Sequence, residues 1–315
     1  MHYTYDLYID RFTRKHPKSA IREIASRHSS IEFDHISCLF RPSDDESLMR
    51  SLYLEVISRG FKCSFGVIIH YEIADALIGS LGMLEATSGN QWGTLPKDAF
   101  DFTAACTHCG VGATQVKPHT LNARCIRYKG DFLSGQRGTS HVLIRTEIAN
   151  EIIQATGQPE CMRHPLNTEG KAVKEWMEPV PTAVLPPLSR RSLGVCFGST
   201  TANVLAGDPP EMIPPCPMCG RIVWDRNYEQ PLRLCYSKAA IKAAQKHAVV
   251  SMYEPRYCFP DFDPVKQVYT NKYLAGIPDL LFNRTALDVL ANYIRPDYTE
   301  SNIRFLSCIV PVFSE

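Results

Sequence analysis

Two stretches of the chain, Cys106-Thr107-His108-Cys109-Gly110 and Cys216-Pro217-Met218-Cys219-Gly220, each place two thiols three positions apart and follow them with a glycine. A tight turn of that length can aim both sulfurs at one ion. The glycine lets the backbone curl through positive φ, so that its amide approaches a thiolate. Four thiolates complete a closed tetrahedral site of the kind that holds structural Zn²⁺. The pattern therefore predicts a structural zinc with Cys106, Cys109, Cys216 and Cys219 as its ligands.

Two arrangements of the ligands fit the spacing. In one, the four cysteines share a single ion and form a ribbon joining two halves of the chain. In the other, each pair has its own ion, with Cys125 and Cys235 as third ligands, since each lies 16 positions after the second cysteine of its pair. His108, His119, Cys161 or Cys258 would then complete the two sites. A simpler reading makes Cys125 and Cys235 equivalent buried strand positions. Thioredoxin-like redox chemistry needs CxxC at the start of a helix. Here Gly110 and Gly112 break any helix after the first motif, and Val223-Trp224 reads as a strand after the second. An iron–sulfur cluster would use the same thiolates.

No other chemistry is written in motifs. The chain has no GxxxxGK[ST] phosphate loop, no HExxH and no GxSxG, and no catalytic or cofactor-binding residues are assigned. His70, His141 and His247 are isolated in sequence. Asp261 and Asp263 belong to a proline-bounded turn that suits the surface.

The elements that must position the cysteines read as α+β, built from repeated strand–helix units with two zinc-knuckle hairpins. Residues 67–78 align without a gap on residues 142–153, and Gly82 then falls opposite Gly157. Each copy has a short apolar run for a buried strand, then apolar residues at helical spacing such as Ile148, Ile152 and Ile153. The two glycines read as helix stops. A weaker third copy begins at Leu280. Upstream, Tyr3, Tyr5, Leu7 and Ile9 alternate as a first strand. Residues 19–26 and 45–58 read as helices, the second with Leu48, Leu52 and Val56 on one side. The proline-rich run 178–187 reads as an extended crossing that cannot continue a helix or sit in a central strand. These shifts divide the chain into an N-terminal α+β region (1–98), a first CxxCG module (99–175), the crossing segment (176–204) and a second CxxCG module (205–315).

The 315 residues are 44% hydrophobic and 21% charged, the make-up of a packed globular protein. The net charge of +1 raises no global basic field for nucleic acid or anionic lipid. No basic-then-apolar leader and no membrane-length apolar run is present, so a cytoplasmic location with reduced thiols is expected.

With these residues in view, the pattern resembles the double-CXXCG motif immunity proteins, a bacterial family associated with polymorphic toxin systems. The resemblance spans roughly residues 99–315. It rests on the two cysteine motifs and on Gln230-Pro231-Leu232 and Leu280-Leu281-Phe282 after the second. Val142-Leu143-Ile144-Arg145, Trp176-Met177-Glu178-Pro179 and a closing strand from Ile303 to Pro311 add to it. Members have short leaders before the first motif, whereas this chain carries about a hundred residues there. The resemblance implies an antidote, not an enzyme, that binds and blocks a cognate protein toxin, with structural cysteines. The rival readings are a nucleic-acid-associated zinc-ribbon protein, which needs Arg124 and Arg190 to converge beside an exposed Tyr128, and an enzyme with an unrecognised cleft.

Overall fold

The computed structural model describes residues 2–9, 18–28, 33–34, 39–43, 45–61, 63–70, 81–86, 93–96, 98–134, 141–200, 211–226, 233–255, 259–260, 262–270, 278–294 and 307–314. They form a mixed α+β structure of two compact units. One unit gathers residues 1–70, 193–213 and 225–232, and the other gathers 71–192, 214–224 and 233–315. None of the described helices is long and apolar enough to cross a membrane.

In the first unit, the alternation at the start of the chain forms the strand His2–Ile9. It lies between Leu39–Ser43 and Cys63–His70, antiparallel to both, with Phe33–Asp34 at the edge. The two helices come from apolar residues at helical spacing. Lys18–Arg27 buries Ile21 and Ile24, and Glu46–Ser58 buries Met49, Leu52 and Val56. Asp45 caps the longer helix by accepting from the Leu48 amide. These side chains close around Leu7, Phe61 and Cys63 as one core.

The second unit is built on a six-stranded sheet. In spatial order its strands are Ala183–Val184, Val249–Pro255, Pro278–Asn283, Leu81–Ala86, Ser307–Ser314 and Leu234–Tyr236. The two edge strands run parallel to their neighbours and the inner pairs are antiparallel. A smaller sheet holds Met162–Arg163, Trp176–Pro179, Val142–Arg145 and Phe132–Ser134. The helices Thr146–Thr156 and Arg284–Leu290 pack into a shared core with Ile144, Ile148, Ile152, Phe282, Leu287 and Leu290.

Of the segments read as strand–helix units, 142–153 falls on the strand Val142–Arg145 and the helix Thr146–Thr156, and 280–291 on the strand Pro278–Asn283 and the helix Arg284–Leu290. Gly157 stops the first helix in the left-handed region at φ 68°, its amide bonded to the Ile153 carbonyl. Asn283 ends a strand and caps the next helix through the Ala286 amide. In the proposed copy at 67–78, Cys63–His70 is a strand, while residues 71–80 lie outside the described residues. Gly82 is not a helix stop: it sits inside the strand Leu81–Ala86, opposite Phe282 and Pro311. The proline-rich run also differs from expectation. Trp176–Pro179 is an interior strand of the smaller sheet, with Pro179 tolerated at its last position opposite Met162. Ala183–Val184 then serves as an edge strand of the larger sheet.

Candidate metal centre

The first cysteine loop sits between the antiparallel strands Phe100–Asp101 and Thr114–Gln115. Asp101 opens the turn by accepting from the Thr103 amide and hydroxyl, at 2.9 and 2.6 Å. Within the loop, the Gly110 amide bonds the Cys106 carbonyl at 2.8 Å and the Cys106 amide bonds the Val111 carbonyl at 3.1 Å. The second loop repeats both bonds. The Gly220 amide reaches the Cys216 carbonyl and the Cys216 amide reaches the Arg221 carbonyl, each at 2.8 Å. Gly110 and Gly220 close the two turns at φ 67° and 69°, where a side chain would be strained.

The two loops face each other with like residues paired. Cys106 Sγ lies 3.7 Å from Cys216 Sγ, and Cys109 Sγ lies 3.8 Å from Cys219 Sγ. All four sulfurs lie within 4.8 Å of one another, and none of the four is joined in a disulfide. Thiolates about 2.3 Å from a tetrahedral ion stand about 3.8 Å apart, so both close pairs already have the required spacing. The cluster could hold a metal ion. Burial works against ionisation of Cys106, but the amides of Cys109 and His108 and the neighbouring thiols outweigh it and bring that thiol to about 7. Burial pushes Cys109 and Cys219 upward. A bound cation would reverse that balance, since a coordinating thiol is deprotonated outright.

The surroundings hold the first loop firmly. The Tyr269 hydroxyl donates to the Gly110 carbonyl at 2.7 Å. Its ring meets Phe102 and Phe100 edge-on at 4.8 and 4.9 Å, while Phe102 stacks on Phe262. Phe262–Asp263 and Val268–Tyr269 pair as a small hairpin whose turn Asp263 stabilises by accepting from the Val265 and Lys266 amides. Asp263 is thus a turn residue, as the sequence suggests, and Asp261 lies outside the described residues. Arg221 bridges the loops: its guanidinium donates to the Val111 carbonyl at 2.6 Å and covers the Tyr253 ring at 4.3 Å.

Cys125 and Cys235 do not join the four-cysteine group. Both are buried, but they are not equivalent positions. Cys125 is in the short helix Ala123–Ile126, packed with Leu121, Leu143 and Trp176, and Cys235 is in the strand Leu234–Tyr236. His108 is exposed, and Cys161 is in the core beneath the helix Thr146–Thr156. Cys258 lies outside the described residues. Tyr128 stacks on Trp176 with ring centroids 6.3 Å apart, so it is half-buried rather than offered to a base.

His119 belongs to a buried polar network, and the buried His141 lies beside it with ring centroids 6.4 Å apart. The Glu178 carboxylate accepts from the His119 amide at 2.9 Å, from the His119 ring, from Arg163 and from Gln115. Burial pushes that carboxyl up, but His119 and Arg163 outweigh it and hold it below its usual range. His141 is depressed to about 4, first by burial and then by His119. Nothing local in the sequence signals this network, because its members come from separate segments. Comparison with protein-family models, with curated proteins and with solved structures gave no match.

Proposed function

We propose that the chain is a zinc-stabilised protein-binding module, an immunity protein that neutralises a cognate bacterial toxin in the cytoplasm by binding it. The observation that carries this reading is the convergence of four thiols from two distant loops. Four protein ligands saturate a tetrahedral Zn²⁺ and leave no position for a substrate, which is the mark of a structural rather than a catalytic site. A thiolate-only donor set favours zinc over oxygen-seeking cations. The near-neutral charge suits a protein partner better than nucleic acid, and the resemblance carried by the CxxCG motifs names the kind of partner.

Two experiments test the two halves of the proposal. Elemental analysis of the untagged protein is expected to give about one zinc per chain, lost when either loop is mutated. Two ions lost independently, or iron in place of zinc, would overturn the shared zinc site. Co-expression with toxin genes encoded beside this one is expected to rescue growth and yield a stable complex. Growth arrest despite soluble protein, with no complex by pull-down, would sink the immunity reading while leaving the metal centre intact.

A further inference from the structure

A cavity of about 330 Å³ opens beside the cysteine centre. Val111 and Gly112 at the end of the first loop and Arg221 at the end of the second form one wall. Arg163 and His141 form another, and Met252, Leu280 and Val184 make much of the rest apolar. We propose that this cavity binds a small carboxylate with an apolar body, its carboxyl group held by Arg221.

The case rests on the difference between the two arginines. Arg163 is fully engaged: Nε pairs with Glu178, and its two terminal nitrogens donate to the Gln115 and Lys117 carbonyls at 3.1 and 3.0 Å. Among the described residues, Arg221 has a single hydrogen bond, to the Val111 carbonyl. Its Nε is buried without a hydrogen-bond partner, and among the described residues no carboxylate lies within ion-pair distance of it, Glu254 acting on its charge only from farther off. The buried Glu254 turns one oxygen to the Leu188 amide at 2.8 Å and leaves the other without a hydrogen-bond partner. His141 gives its Nε2 to the Pro278 carbonyl.

A buried guanidinium nitrogen left without a hydrogen-bond partner is costly, and a carboxylate entering beside it would accept from that nitrogen and offset the cost. The planar fork of arginine matches a carboxylate better than a spherical ion. Gly112, at φ 99°, leaves that fork in place, because a Cβ there would come within 3.2 Å of a terminal nitrogen of Arg221. The volume is at the lower end for ligand pockets, which are about 300–1,000 Å³, so the ligand is small. The apolar walls ask for a hydrocarbon body behind the carboxyl group.

The test is calorimetric titration of the full metal-loaded chain with hexanoate, with hexan-1-ol and with inorganic phosphate. Hexanoate is expected to bind saturably, and the neutral alcohol and phosphate about tenfold more weakly or worse. Arg221→Gln is expected to weaken hexanoate about tenfold, with metal content and fold measured alongside, and Arg221→Lys to fall between. Should Arg221→Gln lose its metal or its fold, Val184→Trp provides the second variant. Val184 lines the cavity and is 62% exposed, so it stands at the mouth, and a larger ring there is expected to block entry. The proposal is overturned by no saturable hexanoate binding to the wild type, or by hexan-1-ol or phosphate binding as well as hexanoate. Unchanged affinity in a folded Arg221→Gln or in Val184→Trp would overturn it equally.

Discussion

Gly110 and Gly220 occupy the same place in the two cysteine loops, yet a methyl group would meet different surroundings at each. At Gly110 it would lie 2.7 Å from the Phe262 ring and 3.0 Å from the Tyr269 ring, whereas at Gly220 nothing stands within 4 Å. The first loop is seated on an aromatic hairpin. The second presents Met218 to solvent, 68% exposed, and reaches the first through Arg221 and the paired thiols. A shared tetrahedral ion would demand the same backbone turn twice, but not the same support. The first loop draws its rigidity from packing, and the second is positioned chiefly by what it shares with the first.

That contrast can be broken at several strengths. The severest change is Cys216→Ser, which removes one thiol from the four-cysteine group, where a structural zinc would contribute on the order of 10 kcal/mol to folding. It is expected to abolish metal retention and lower the melting temperature sharply, and Cys109→Ser should be as damaging despite its better-packed loop. Wild-type melting in either variant would remove the centre from the stability of the protein. The glycines come next. Gly110→Ala combines a left-handed backbone with overpacking and is expected to cost about 3 kcal/mol, while Gly220→Ala bears only the backbone term, about 1 kcal/mol. Equal losses in urea denaturation would show that the aromatic hairpin is irrelevant to the loop.

Tyr269→Phe is smaller, about 1–2 kcal/mol, because it leaves the ring packing and removes one buried hydrogen bond to the Gly110 carbonyl. A mutant as stable as the wild type would locate the loop's support in the rings alone. Met218→Ser should change stability by less than about 0.5 kcal/mol, as for other exposed sites. A larger loss in the purified chain would mean that the second loop has packing the comparison denies it.

Much of this was legible in sequence where local rules decide the outcome. The CxxCG spacing specified two turns and their four thiols, and apolar periodicity located the helices at 18–27, 46–58 and 146–156. Alternation marked the first strand. Rules of single residues were weaker wherever a neighbouring strand could override them. Gly82 reads as a helix stop until it is paired between Phe282 and Pro311, and Pro179 reads as a strand breaker until it falls at a strand end. Cys125 and Cys235 share a spacing but not an environment, because spacing along the chain says nothing about which element a residue joins. The His119–Glu178–Arg163 network and the Arg221 cavity had no signature. Each is assembled from residues distant in sequence, by packing that no short pattern encodes.

The pairing of Cys106 with Cys216 joins positions 110 residues apart. Between them lie the whole smaller sheet, whose strands pair with near neighbours in the chain, and the helix Thr146–Thr156, which packs on Arg284–Leu290. A metal held by both loops would cross-link a segment of that length and remove about 4–5 kcal/mol of chain freedom from the unfolded ensemble. Such a cross-link would close once the folded chain has brought the two loops together. In kinetic terms the centre is a clasp that closes late, so bound metal is expected to slow unfolding far more than it speeds folding.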